Sequence, residues 1–384
     1  MKYPFQKYRH ALRAWNNSRR LRRELRIYTS RFDALDLVLP DETIIRDTLS
    51  GKSPGKKPKQ KGSLSIIAIY HHYNWENESL KPSLLSFGNV RHYDWFDQFN
   101  HQRKNWHRGI KAQMNKDLLR QVTEWNRSEA VDVIFTYLSG EVVSPEAMGE
   151  LTRLGIPLVN LALNDKESFA GKIRNGHATG MRDICRYFDI CWTSTEDSLK
   201  KYCVEGALPL YMPEGANPEI HKPYDVEKSI DVSFVGQCYG NRPAIIQALK
   251  DRGITVEAFG DGWPNGSLST EEMVRIYSRS KINLGFGGVA GHQNTFCLKG
   301  RDFEIPMSGG LYLTEHSPEL DRVFKPGKEI LTYQTFDELV TKIHYFLAHP
   351  DEAESVRQAG ALRARAEHTW EMRFEKIFTL MGLI

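Results

Sequence analysis

The chain has 384 residues, 40% hydrophobic and 26% charged, with a formal net charge of +4. That length exceeds one hydrophobic core and that balance excludes a disordered chain, so two globular domains are expected. The modest charge points to no nucleic acid partner, and no apolar run is long enough for a membrane span or a signal-peptide core, so a cytoplasmic location is expected.

Residues 1–35 predict one or two helices in which Trp15, Leu21, Leu25 and Tyr28 recur at roughly helical spacing. Arg9, Arg13, Arg19, Arg20, Arg22, Arg23, Arg26 and Arg31 cover the other faces. Two readings stand for this arm: a basic helix packed on the first domain, or docking to an anionic surface such as the inner face of a membrane. Residues 51–62, GKSPGKKPKQKG, have nothing apolar to bury and read as a linker. Five cysteines, Cys185, Cys191, Cys203, Cys238 and Cys297, form no CxxC pair, so neither a zinc site nor a disulfide framework is indicated.

From residue 63 the pattern becomes strand, loop, helix, repeated. SLSIIAIY (63–70) is the short buried strand of a parallel sheet. The polar and aromatic segment HHYNWENESLKPSLLSFG after it is a loop at a strand's carboxyl end, where ligands of α/β sheets bind. A helix over about 108–125 leads to a strand at 131–138; Ser144 caps a second helix with Pro145 in its first turn. Further strands are expected at 156–163, in FDICWTST and in LPLYMPEGANP, with helices around 180–187 and in EDSLKKYCVEG. After an aperiodic stretch to about residue 231 the alternation resumes. Strands are expected in VSFVGQ, ITVEAFG, KINLGFGG and LYLTE, and helices in RPAIIQALKDRG, TEEMVRIYSRS (capped by Ser269 or Thr270), just after Lys299, after Thr335 and in the final two segments. Two α/β domains with parallel sheets follow, with a cleft between them suited to enclosing two substrates.

Several segments can carry chemistry. Lys299 and Arg301 flank Gly300 at a helix start, where a close-approaching backbone, a helix dipole and two cations suit a diphosphate. Such cations also offset charge developing on a leaving nucleotide. Glu304, a few residues on, is placed to accept hydrogen bonds from ribose hydroxyls. The strand-to-helix turn SFVGQCYGNRP adds Arg242 as a phosphate ligand, with a structural ion pair as the competing role. Trp263 in FGDGWPNG is a base contact or a core aromatic, and His292 and Asn294 in GFGGVAGHQN are candidates for sugar hydroxyls. In the first domain His71, Glu78 and Asp165 lie at strand ends; Glu78 or Asp165 would activate an acceptor hydroxyl by general base action. Glu214 and Asn217 follow the fifth strand. No metal site is expected, since no third ligand has spacing to match His71 and His72.

The segments SKINLGF, LKGRDFEIPMSGGLYLTEHSPELDRVFKPGKEI, FDELVTKIHYFLAHPDE and EHTWEMRF occur in order over residues 230–378. In these the chain resembles the spore-maturation glycosyltransferase-like proteins, a group related to the group-1 glycosyltransferases. The resemblance implies an α/β GT-B fold of two Rossmann-like domains facing across a cleft. It divides the chain into a basic extension (1–50), the linker (51–62), an acceptor-side domain (63–224), a nucleotide-sugar domain (225–368) and a helix returning to the first domain (369–384). It implies a nucleoside diphosphate-sugar donor, no cofactor and no obligatory metal, with Lys299 and Arg301 in the phosphate set and Glu304 on ribose; Arg242 is a looser match. The acceptor, whether glycan, lipid, protein or small molecule, is not implied. A glutamate that many relatives carry eight positions before Glu304 is Phe296 here. The alternative to an enzyme is a non-catalytic nucleotide-sugar or anion-binding protein.

Overall fold

Alternating apolar strands and amphipathic helices fold, in a computed structural model describing residues 4–51, 57–73, 76–287 and 296–384, into two units that each carry one parallel sheet. The first unit comprises Leu21–Asn77, Lys81–Pro213 and Arg373–Ile384. Its sheet is built from β1 (Leu64–Ile69), β2 (Gly88–Tyr93), β3 (Val133–Thr136) and β4 (Leu158–Ala162), and beyond a small hairpin of β5 (Ile173–Arg174) and β6 (His177–Ala178), from β7 (Ile190–Thr193) and β8 (Pro209–Tyr211). The order is β2-β1-β3-β4-β7-β8. Every residue of β1 is buried, because helices cover both faces of a parallel sheet. The helices are α1 (Pro4–Ala34), α2 (Glu42–Ser50), α3 (Lys81–Leu85), α4 (Ile110–Ser128), α5 (Pro145–Thr152), α6 (Asp165–Ser168) and α7 (Leu199–Val204). From Leu21 onward α1 belongs to this unit and buries Leu21, Tyr28 and Phe32, one stripe at spacings of seven and four. Tyr28 donates to Glu205 at 2.8 Å and Lys201 donates to Glu24 at 3.0 Å. Packing of Leu21 and Tyr28 is thus one of the two roles expected of the arm. As expected, Ser144 caps α5 by accepting from the Ala147 N–H at 3.2 Å.

The second unit comprises Glu78–Leu80 and Glu214–Met372, with the turns of α1 up to Arg20. Its strands are β9 (Ile230–Val235), β10 (Glu257–Phe259), β11 (Ser280–Leu284), β12 (Tyr312–Glu315) and β13 (Leu331–Tyr333), in the order β10-β9-β11-β12-β13, all parallel. Its helices are α8 (Arg242–Asp251), α9 (Thr270–Arg279), α10 (Gly300–Met307), α11 (Leu320–Val323), α12 (Phe336–Ala348), α13 (Pro350–Glu367) and the start of α14 (Trp370–Leu380). Ser269 closes a full capping box with Glu272, and Thr335 caps α12. In each sheet one strand has its two neighbours reached by opposite connections: β1 between β2 and β3, β9 between β10 and β11. The carboxyl ends of those strands are the switch points at which open α/β sheets bind ligands.

Two local expectations are corrected. The helix around residues 180–187 is a single 3-10 turn, Cys185–Tyr187. Its backbone donors and acceptors are used elsewhere: Gly180 O accepts from Gly140 N–H at 2.8 Å and Arg182 N–H donates to Phe169 O at 3.0 Å. The segment read as a loop after β1, residues 71–88, carries a π-helical turn, Glu76–Leu80, and α3, and at its last residue begins β2, an edge strand of mostly half-buried residues that was not expected. Among the described residues no helix is long and apolar enough to cross a membrane.

Candidate functional site

The switch point of the second sheet is formed where β9 runs out at Val235 and Gly236. Gly236 has φ +153°, a conformation that favours glycine. A Cβ there would lie 2.6 Å from Arg301 Nη2, 3.0 Å from Phe234 Cζ and 3.5 Å from Arg242 Nη1. The missing side chain is therefore the space in which two guanidinium groups converge. Both lie over the Phe234 ring, with the Arg242 and Arg301 Cζ atoms 5.3 and 5.4 Å from its centroid. Arg242 also covers Tyr239 at 4.2 Å and donates to Gln237 O at 2.9 Å. Burial, then the neighbouring Arg301 charge, holds the Arg242 guanidinium below its ordinary value. Among the described residues neither arginine has an ion pair with a carboxylate. Cation–π stacking positions the two groups, and Tyr312, Tyr277, Asp302 and Glu304 hold Arg301 above its ordinary value against burial, so two cations stand side by side where an anion can bridge them. Among the described residues Arg242 makes no ion pair of the structural kind weighed for it.

Arg301 is the second residue of α10, whose amino end differs from expectation. The Lys299 N–H donates to Asp302 Oδ2 at 2.7 Å, and the Gly300 N–H donates to the Glu214 carboxyl. This chain's own acids thus occupy donors that the sequence suggested were open to a phosphate. Glu214, only 4% exposed, is pushed up to about 8 by burial, against the pull of Lys299 and with help from Glu304 and Asp302. A Cβ on Gly300 would stand 2.8 Å from Glu304 Oε1 and 3.4 Å from Glu214 Oε2, so glycine lets both carboxyls close over the helix start. Glu304 Oε1 lies 3.8 Å from Nε2 of buried His221. The side chain of Glu304 keeps 13% of its surface exposed, enough for one oxygen to meet a ligand. Trp263 is turned to the backbone: its Nε1–H donates to Gly236 O at 2.8 Å and its ring meets Phe234 at 77°. It braces the turn, in keeping with the core role weighed for it. His292 and Asn294 lie outside the described residues.

In the first unit Asp165 opens α6 and is 2% exposed. Burial raises it to about 6, opposed by hydrogen bonds from Thr193 and Tyr202, the latter at 2.8 Å. It ties β4 to β7 and α7, and so enclosed it has no face for an acceptor hydroxyl; its reading as a general base is not carried forward. Glu78 is exposed and accepts from the Thr270 hydroxyl within the second unit. His71, past the end of β1, holds Asp94, which no motif had singled out: Nδ1 is 3.0 and 3.1 Å from the two carboxylate oxygens. Pairing of Ile69 with Tyr93 across β1 and β2 brings their following residues together.

Residues 242–379 match the family model described as glycosyl transferase-like, a span that includes Arg242, Lys299, Arg301 and Glu304. No curated protein matches the chain. Among solved structures it is similar to the sucrose-phosphate synthase (tll1590) of Thermosynechococcus elongatus, with 11% identity over 83% of this chain and 98% of that one and a TM-score of 0.60. A glycosyltransferase from Rickettsia africae ESF-5 gives 10% identity, the coverages 83% and 98%, and a TM-score of 0.56. Anabaena Alr3699/HepE, solved in complex with UDP-glucose, gives 10% identity, 83% and 100%, and 0.55. The chain has the GT-B fold of two Rossmann-like domains, with the match to the glycosyl transferase-like model confined to residues 242–379.

Proposed function

We propose that the protein is a glycosyltransferase that moves a sugar from a nucleoside diphosphate-sugar to an acceptor hydroxyl, with residues 225–368 as the donor side and 63–224 as the acceptor side. The observation that carries this is the pair Arg242 and Arg301, without carboxylate partners among the described residues, at the switch point of the second sheet. The pair holds the donor diphosphate, with Lys299 as a third cation. Their fixed charges also stabilise the nucleoside diphosphate as it leaves, which lowers the barrier more than it tightens the ground state. Glu304 accepts hydrogen bonds from the ribose hydroxyls. With three cations at the diphosphate, no metal is required to neutralise it.

The test is calorimetry and turnover with a panel of nucleoside diphosphates and their sugars, starting from UDP and UDP-glucose because HepE was solved with the latter. Binding and release of nucleoside diphosphate are expected, and both persist in EDTA. Glu304→Ala weakens UDP binding while leaving pyrophosphate binding unchanged. Binding without any cleavage of the sugar would favour the non-catalytic alternative. Loss of turnover in EDTA, restored by magnesium or manganese, would contradict the metal-free reading.

The arm supplies a surface for the acceptor's environment. Arg22, Arg23 and Arg26 are exposed with no carboxylate partner among the described residues, and Ile27 beside them is 48% exposed. An anionic lipid surface complements this helix, each cation contributing about 1 kcal/mol near it. Full-length protein should pellet with phosphatidylserine-containing vesicles at low salt and be released at high salt. The variant with all three arginines changed to glutamate stays in the supernatant. Equal, negligible pelleting of both would end the lipid proposal.

A further inference from the structure

We infer that a cavity in the first unit, walled by α4, α5 and the β5–β6 hairpin, binds an anionic group, so that the acceptor is a molecule carrying a phosphate or a carboxylate. That the occupant is the acceptor rests on the glycosyl-transfer reading above; that the cavity binds an anion does not.

The three walls come from the connections that leave the carboxyl ends of β2, β3 and β4, the edge at which α/β sheets bind ligands. The hairpin wall is set by local sequence. Asn175 and Gly176 are both left-handed, with φ +49° and +84°, as a two-residue hairpin turn requires. That turn pairs Arg174 with His177, and residues directly opposite each other share one face of a hairpin. Both line the cavity. The hairpin is fastened at its base and at its tip. At the base the Gly140 N–H donates to Gly180 O and the Glu141 N–H to Thr179 O, each at 2.8 Å. At the tip Asn175 Nδ2–H donates to His107 O, just before α4, at 3.2 Å. The space so enclosed is about 440 Å³, inside the range of about 300–1,000 Å³ for small-molecule sites.

Charge decides what enters. Lys111 and Lys116 on α4 and Arg174 on β5 line the cavity, and none of them pairs with a carboxylate among the described residues. Lys111 donates to Gly140 O at 2.5 Å. Burial holds its ammonium below its ordinary value, with Glu141 and Glu146 opposing. Those two acids are engaged elsewhere. Glu141 meets His107 at 2.8 Å, and Glu146 accepts from its own N–H and from the Ser144 hydroxyl, 3.7 Å from His177. Glu150 is the one lining carboxylate without a partner among the described residues. Three uncommitted cations thus face one uncommitted acid, and the surplus favours an anion.

The start of α5 also borders the cavity, but its first donors are taken. The Ser144 N–H donates to Asn115 Oδ1 at 2.8 Å and the Ala147 N–H to Ser144 Oγ at 3.2 Å. Binding therefore falls to the side chains. A guanidinium fork and two ammonium groups match the oxygens of a phosphate or a carboxylate. The donor diphosphate is a different anion at a different place, since Arg242 and Arg301 belong to the second unit.

Calorimetry with methyl glucuronide, glucose 1-phosphate and methyl glucoside tests the inference. At least one of the two anionic sugars is expected to bind, more weakly as salt rises, and the tighter of the two names the group. The neutral glucoside binds about tenfold more weakly or worse. Arg174→Glu combined with Lys116→Glu changes two exposed side chains, so Tm should hold while affinity for the anionic sugar falls about tenfold or more. Lys111→Met lowers that affinity as well. Arg301→Ala leaves it within about twofold. Loss in Arg301→Ala but not in the charge-reversed variant would place the anion at the arginine pair and overturn the inference. Equal affinity for methyl glucoside, or binding of neither anionic sugar, would overturn it too. With UDP-glucose as donor, the sugar that binds is expected to be glucosylated, and the charge-reversed variant raises its KM about tenfold. An anionic sugar that binds in the cavity but is never glucosylated, while another acceptor is, would overturn the acceptor role. UDP that fails to bind the unsubstituted chain would count against the glycosyl-transfer reading, while the sugar titrations still decide the cavity.

Discussion

Replacing Arg301 by alanine is expected to weaken UDP binding by about 1.5–3 kcal/mol, the usual loss for a hydrogen bond to a charged group, which is about one to two powers of ten in Kd. Arg301 reaches into the gap left by Gly236 and shares the Phe234 ring with Arg242. Burial disfavours the Arg301 charge, but Tyr312, Tyr277, Asp302 and Glu304 nearby outweigh it and hold the guanidinium above its ordinary value. The group thus stays cationic beside Arg242, and removing it should shrink the rise in Tm on adding UDP. A merely structural arginine would lose stability with no change in the ligand-induced shift. Arg301→Lys keeps the charge but loses the planar fork and the stack, and falls between. Arg242→Ala costs similar affinity but also some stability, because this side chain is 8% exposed and packs on two rings. Unchanged UDP affinity in both alanine variants would rule out the diphosphate clamp.

The segments around Arg242, Arg301 and Glu304 were readable because their context is local. A strand ending in glycine, followed by a helix start with a cation, places that cation at the sheet's carboxyl edge whatever the rest of the chain does. The alternation of apolar strands and capped helices was readable for the same reason; Ser144, Ser269 and Thr335 cap α5, α9 and α12. What escaped depends on pairing across distance. β2 is an edge strand whose residues are mostly half-buried, so GNVRHY has no apolar run to betray it, and without β2 nothing linked Asp94 to His71. The Glu214 carboxyl at the start of α10 joins residues far apart in sequence, so the helix end looked open when it is filled. Asp165 misled in the other direction. Its position after a strand is right for catalysis, but Tyr202, Thr193 and burial make it a strut. Trp263 sits in a turn as expected, yet its indole N–H serves Gly236.

Phe374→Ala should destabilise the first unit by about 3–5 kcal/mol, the range for deleting a buried phenyl ring. Phe374 lies on α14, and residues Arg373–Ile384 belong to the first unit although the segment directly before them, Glu214–Met372, belongs to the second. The ring is fully buried and meets Phe135 of β3 at 5.2 Å and Trp192 of β7 at 5.9 Å, both edge-on. Phe87 at 6.3 Å and Phe378 at 5.8 Å complete the cluster. Ile377, Phe378 and Leu380 are also buried, so the last turns of the chain are a core helix of a sheet whose strands end well before them. Polar contacts tie the segment down: Arg373 Nε–H donates to Pro213 O at 3.1 Å, Lys59 N–H donates to Leu383 O at 2.8 Å, and Lys61 pairs with Glu375 at 3.1 Å. A cavity at Phe374 removes apolar contact from two strands and from the helix at once, and collapse around it is opposed because the neighbours are rigid rings. Because the chain has two units, one global transition is not assumed. Hydrogen exchange resolved by segment is the suitable measurement, with protection expected to fall in β3, β7 and α14 and to hold in β9 and β11. Leu362→Ala, at a side chain 71% exposed on α13, is the control and should change stability by less than about 0.5 kcal/mol. Equal small effects from both substitutions, or loss of protection confined to the second sheet, would show that α14 is not part of the first unit's core.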